Sequence, residues 1–165
     1  VTVHIRLVEW DDPASVELRA AQRAEIESRY GGPSEPGPVP TGLDVTTFFV
    51  AFDDDGTPLG CGGLRLLDSD HAEIKRMFVH PDHRGSGVST AVLRRLEQFG
   101  HEAGWTRLVL ETGLLQPDAI RFYTREGYTR IPNFGYYADS DDSVCFEKVL
   151  VAHDPAADVL CEGCE

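Results

Sequence analysis

Apolar and polar positions alternate from the start of the chain: Val3, Ile5 and Leu7 fall on one side of Val1–Val8, which predicts an opening strand. At Asp12-Pro13 a capping side chain meets a first-turn proline, and the Ala-, Arg- and Glu-rich stretch from Ala14 to about Tyr30 reads as a helix stopped by Gly31-Gly32-Pro33. Residues 31–44 carry four prolines and predict a surface loop long enough to form a rim or lid. Thr46–Phe52 is β-branched and aromatic, and Asp53-Asp54-Asp55-Gly56 after it ends in a hairpin signal. The returning strand is Leu59–Leu67, weakened by Gly60, Gly62 and Gly63. An acidic turn at Asp68-Ser69-Asp70 leads to a third strand, His71–Val79, ended by His80-Pro81-Asp82.

Helical spacing of Val88, Ala91, Val92, Leu96 and Phe99 then predicts an amphipathic helix from Ser86 to about Glu102. Thr106–Glu111 reads as a buried strand, Asp118–Glu126 as a helix closed by Gly127, and Tyr128–Ile131 and Val144–Leu150 as late strands. Hairpins followed by strand–helix–strand–helix–strand–strand describe an α/β (α+β) protein: a mixed, mostly antiparallel central sheet flanked by helices. Residues 1–151 form the expected domain, and residues 152–165, with four acids and no Lys or Arg, an acidic tail.

Composition narrows the function. At 165 residues the chain is one domain, and 15 Lys+Arg against 28 Asp+Glu give a net charge of -13. So acidic a surface repels phosphate backbones and argues against nucleic-acid binding. No apolar run is long enough to span a bilayer, and the N-terminus has no signal-peptide pattern. The four cysteines read as free thiols in a cytoplasmic protein.

The chemistry concentrates between Glu73 and Ser89. There a strand ends, a short loop turns, and Gly85 and Gly87 open a helix, which aims free backbone N–H groups and a positive dipole end at one spot. Between Ile74 and Leu96 five basic residues (Lys75, Arg76, Arg84, Arg94, Arg95) outnumber one acid, Asp82, so an acidic chain carries a local basic island. A bound polyanion accounts for it. No Gly-Lys-Ser/Thr follows, which excludes a P-loop, and Gly85-x-Gly87-x-x-Thr90 lacks the third glycine of a dinucleotide fingerprint.

Arg84-x-x-Gly87-x-Ser89 after Met77-Phe78-Val79 resembles the acetyl-CoA motif of the GNAT (GCN5-related N-acetyltransferase) superfamily. Ala119-Ile120-Arg121-Phe122-Tyr123-Thr124-Arg125-Glu126-Gly127-Tyr128 resembles its second motif, and the element order from Val3 to Leu150 resembles its fold. The resemblance implies an acetyltransferase that moves acetyl from acetyl-CoA to a primary amine of a small molecule or peptide, by direct attack in a ternary complex and without a metal. It implies that Met77, Phe78 and Val79 hold the pantetheine arm and that the turn of Arg84, Gly85, Ser86, Gly87, Val88, Ser89 and Thr90 holds the pyrophosphate. The Val79 N–H would polarise the thioester carbonyl, and Tyr123 would protonate the leaving thiolate. Glu73, eleven residues before Arg84, matches the general base in spacing; Glu111 and His71 are the other candidates. Ser89 stands for the usual Gly/Ala, and Gln116 for an Asn that contacts the cofactor arm. A non-catalytic CoA-binding module of the same fold is the alternative reading, and an edge strand offers a surface for a homodimer.

Other signals carry less. Cys161-x-x-Cys164 has metal-ligand spacing but no second pair, and His80-x-x-His83 has too few partners. Cys61 and Cys145 sit in predicted strands as small apolar residues. Asp53–Asp55 and Asp139–Asp142 read as solvated turns; beside an acceptor cleft they would favour a cation. Phe134, Tyr136 and Tyr137 either wall an acceptor pocket or pack in the core.

Overall fold

The computed structural model describes residues 2–32 and 37–150. The tail from residue 152, with Cys161 and Cys164, lies outside them, as does part of the 31–44 loop. The elements are β1 (His4–Leu7), α1 (Pro13–Tyr30), β2 (Val45–Phe52), β3 (Pro58–Leu66), β4 (His71–Val79), α2 (Val88–Glu102), β5 (Arg107–Gly113), α3 (Pro117–Arg125), β6 (Thr129–Ile131) and β7 (Ser143–Val149). Single 3₁₀ turns at Pro81–His83 and Gly135–Tyr137 fall in the connections.

Local chemistry sets the boundaries. The Asp12 carboxylate accepts from the Ala14 N–H and caps α1. Asp53 Oδ1 accepts from the N–H groups of Asp55 and Thr57, and Asp68 Oδ1 from those of Asp70 and His71, which closes the two hairpins. The acidic runs Asp53–Asp55 and Asp68–Asp70 are thus turn-builders. Helix α2 starts at Val88, two residues later than the apolar spacing predicts, because Gly87 takes a left-handed conformation (φ 87°).

The strands form one sheet in the order β1-β2-β3-β4-β5-β7-β6. Every neighbouring pair is antiparallel except β4/β5, which is parallel and bridged by α2. One face packs on α2 and α3 through Phe49, Leu64, Val92, Leu96, Leu110 and Phe146. The other packs on α1 through Leu18, Phe48, Val50, Cys61 and Phe78. Gly62 lets α2 and Met77 close on β3: a Cβ there would lie 2.6 Å from Met77 Sδ and 3.0 Å from Leu96 Cδ1. Gly60 and Gly62, which weaken β3 as a strand, thus permit close packing of α2. Among the described residues no helix is long and apolar enough to cross a membrane.

Candidate functional site

Strands β4 and β5 pair from His71↔Arg107 only as far as Ile74↔Leu110. Beyond that point β4 stays with β3 to Gly60↔Val79, while β5 stays with β7 to Gly113↔Ser143. The two strands therefore part company, and the gap opens in the middle of the sheet. A bulge helps to steer β4 away: two steps on β3 (Cys61 to Gly63) face three on β4 (Lys75 to Phe78), with Arg76 at φ 59°. A cavity of about 390 Å³ fills the gap, bordered by Glu73, Lys75, Met77, Glu111, Gln116 and Tyr123.

Helix α1 roofs this cavity with Gln22, Ile26 and Tyr30, spaced four residues apart on one helix face. The Gln22 amide donates to the Met77 carbonyl (2.9 Å). Gln22 Oε1 and Tyr30 Oη are buried without hydrogen-bond partners among the described residues. Sequence reasoning missed these three residues, although their spacing marks a helix face that meets one feature.

Orientation along β4 follows from the ladder. The His80 N–H donates to the Leu59 carbonyl (2.8 Å), so by antiparallel alternation the Val79 N–H points away from β3, toward the gap. The Phe78 side chain is buried on the α1 face, so only its backbone is available to a ligand in the gap. The Met77 side chain packs against the α2 face.

The turn before α2 has Gly85 at φ 77° and Gly87 at φ 87°, and a Cβ at either would meet nothing within 4 Å. The N-cap makes no side-chain hydrogen bond, so the first N–H groups of α2 stand uncapped beside open space. This arrangement can accept an anion, as the sequence suggests. Side chains of the turn have partners within the protein. Ser86 donates back to the His83 carbonyl, and Thr90 donates to Glu126 (3.2 Å). Both terminal guanidinium nitrogens of Arg84 go to Glu25 of α1, and its Nε to the Val79 carbonyl.

Three cations of the basic island have partners within the protein. Arg84 pairs with Glu25 and Arg94 with Glu97 and Glu126, while the Arg95 guanidinium lies over the Phe49 ring at 4.7 Å. Neighbours in sequence, these cations have acidic or aromatic partners, Glu97 on α2 itself and the others on other parts of the fold.

Of the candidate bases, Glu73 is buried, at 2% exposure. Its Oε2 accepts a 2.6 Å hydrogen bond from the Tyr137 hydroxyl, which itself accepts from Lys75 Nζ (2.9 Å). Arg65 lies 3.9 Å from the other oxygen. Tyr137 thus leaves the question of wall or core: it is buried and bonded to the candidate base. Glu111 borders the same cavity. His71 is drawn into the β3–β4 turn instead, with its Nδ1 2.7 Å from Asp68. Tyr123 is buried, and desolvation, with the nearby Glu111 charge, pushes its phenol well above the usual tyrosine value. Cys61 and Cys145 are buried thiols; burial pushes Cys61 up to about 12 and Cys145 up to about 11, which leaves both protonated and unreactive near neutrality.

Comparison with known proteins agrees with this geometry. The model of the acetyltransferase (GNAT) family matches residues 7–128. The chain is 33% identical over 136 residues to IAA acetyltransferase of Azospirillum brasilense, covering 78% of this chain and 89% of that one. Among solved structures, a protein of Klebsiella pneumoniae assigned as an acyl-CoA N-acyltransferase superposes with a TM-score of 0.78 at 29% identity, covering 91% of this chain and 99% of that one. A GNAT family acetyltransferase of Elizabethkingia anophelis, solved with acetyl-CoA bound, shares the fold at a TM-score of 0.67 and 16% identity, over 90% of this chain and 98% of that one.

Proposed function

The chain belongs to the acetyltransferase (GNAT) family, and from that premise we propose that it carries acetyl from acetyl-CoA to a primary amine of a small molecule or peptide by direct attack in a ternary complex. The observation that carries the proposal is the parted β4/β5 pair, whose gap gathers Glu73, Glu111 and Tyr123 around one cavity and receives the Val79 N–H. Acetyl-CoA as cosubstrate is supported by family membership and by acetyl-CoA bound in a structural neighbour.

The residues present suit such a ligand. The uncapped start of α2, with open space at Gly85 and Gly87, would take the pyrophosphate on backbone N–H groups from Gly85 to Thr90. Backbone of Met77–Val79 would meet the pantetheine arm along the open side of β4, with the Gln116 amide at the far wall. An alkylammonium acceptor near pKa ~10 must lose a proton before it attacks, and Glu73 would take that proton through an intervening water. Nitrogen then bonds to the thioester carbon, and the Val79 N–H stabilises the oxyanion that forms. As the C–S bond breaks, the nitrogen sheds its second proton to solvent to leave the neutral amide, while the Tyr123 phenol gives its proton to the departing thiolate and is refilled from solvent. Its raised pKa keeps the phenol protonated and ready as an acid throughout the neutral range.

The test begins with calorimetric titration of acetyl-CoA and CoA into the wild type and Gly87→Asp, followed by thiol release over a panel of amines. Micromolar binding lost in the variant, together with amine-dependent thiol release, supports the reading. Binding without turnover over a broad panel leaves a CoA-binding module, and no binding removes the proposal.

A further inference from the structure

Glu73 and Lys75 are two residues apart on β4 and project from the same face of the sheet. Both are buried, at 2% and 9% exposure. Their charged ends lie 3.8 Å apart, beyond a direct hydrogen bond. The hydroxyl of Tyr137, a residue 4% exposed in the turn between β6 and β7, bridges them: it accepts from Lys75 at 2.9 Å and donates to Glu73 at 2.6 Å. A carboxylate this deep has little water of its own, so donors from the protein must replace its hydration. Tyr137 supplies one to Oε2, and Arg65 stands 3.9 Å from Oε1.

Glu73 also stands between two spaces. It borders the main cavity together with Tyr123, and a second cavity of about 320 Å³ reaches it from the side of Arg65, Phe134 and Tyr137. A carboxylate between two openings can rotate toward either. One oxygen tied to Tyr137 limits that freedom.

We propose that Tyr137, braced by Lys75, is a positioning residue that holds the Glu73 carboxylate in the orientation in which it takes the acceptor's proton. The proposal rests on the reading of Glu73 as general base. It differs from a purely structural account, in which Tyr137 only fastens the β6–β7 connection to the sheet. A fastener acts whatever stands at position 73; a positioning residue acts through Glu73 and through nothing else.

A double-mutant cycle separates the two. The reading is kcat at saturating acetyl-CoA with the best amine from the panel, for Tyr137→Phe and Lys75→Met, each in the wild type and in Glu73→Gln. Lys75→Met is needed because, with the hydroxyl gone, Lys75 has room to close directly on Glu73. We expect each single variant to lower kcat about tenfold or more, with the KM for acetyl-CoA within about twofold of the wild type, and neither to lower it further in Glu73→Gln. Where Glu73→Gln falls to the uncatalysed background, Glu73→Asp takes its place in the cycle. Equal fractional losses in both backgrounds would make Tyr137 a fastener and overturn the proposal, as would no loss in the wild type. Full activity in Glu73→Gln is a separate failure: it removes Glu73 as the base and takes the positioning role with it. So does an enzyme that turns over no amine.

Discussion

Glu25 on α1 and Arg84 in the turn before α2, 59 residues apart in sequence, face each other in a two-pronged ion pair with both prongs at 2.8 Å. The Arg84 Nε meanwhile holds the Val79 carbonyl, so one side chain ties the roof helix to the end of β4. The pair is partly exposed, at 44% for Arg84 and 30% for Glu25, and solvent screens it. Glu25→Gln should therefore cost no more than about 1 kcal/mol in urea denaturation. Released from Glu25, Arg84 is free to reach an anion at the α2 turn, and CoA should bind a few-fold more tightly by calorimetry. Weaker CoA binding in Glu25→Gln would mean that the ion pair shapes the turn instead of withholding a cation from it.

The same pair predicts a pH signature. The hydrogen bond from Arg84 holds the Glu25 carboxyl below its ordinary value of 4.5, against an opposing effect of burial. A carboxyl with a depressed folded pKa adds stability that is fully present above its unfolded value and lost as pH falls through the folded one. The stability gap between wild type and Glu25→Gln should hold steady above about pH 5 and narrow below pH 4 in denaturation series.

With Tyr123 as the proposed acid, Tyr123→Phe should lower kcat by about a hundredfold and leave CoA affinity unchanged, because only the proton for the thiolate would be lost. Burial and Glu111 raise the phenol's pKa, so its deprotonation should not produce an alkaline limb in the wild-type kcat profile below about pH 10. Full turnover in the variant would remove Tyr123 as the acid.

Gly113 and Tyr30 make a steric pair. A Cβ on Gly113 would lie 1.7 Å from Tyr30 Oη and 2.7 Å from its Cζ, so Gly113→Ala must push the ring aside and should cost about 1–3 kcal/mol. The Tyr30 hydroxyl has no hydrogen-bond partner among the described residues, so Tyr30→Phe should be neutral or stabilising by about 1 kcal/mol. In the Tyr30→Phe background the cost of Gly113→Ala should fall by at least a third, read from urea midpoints.

What the sequence discloses follows from how local each cause is. The strand and helix pattern is local, and the observed elements fall within two or three residues of the expected ones; at Ser86, two residues from the observed start of α2, one glycine's left-handed φ decides. The turn at Gly85 and Gly87 was legible for the same reason, since glycine positions carry backbone conformation directly. Partners are another matter. Counting charges between Ile74 and Leu96 finds the cations but not Glu25 or Glu126, which arrive from α1 and from the end of α3. Tyr137 could not be joined to Glu73 across 64 residues, because the contact exists only once the β6–β7 connection folds over the sheet. The parting of β4 from β5 is likewise a property of the assembled sheet; apart from the family resemblance, nothing in either strand's own residues announces where their pairing ends.

That parting has a consequence for the ligand-free protein. A β-sheet normally confines its unpaired N–H and C=O groups to its two outer rims, where they invite another strand. Here a stretch of inner edge lies inside the sheet, on β4 beyond Ile74 and on β5 beyond Leu110, roofed by α1, and on β4 the Met77 and Val79 carbonyls meet the side chains of Gln22 and Arg84 rather than a neighbouring strand. A long, amide-bearing molecule that slides into it would serve as a surrogate strand and finish a ladder that the polypeptide leaves incomplete. Amide hydrogen exchange should register this as new protection at the Val79 N–H, far from any rim of the fold.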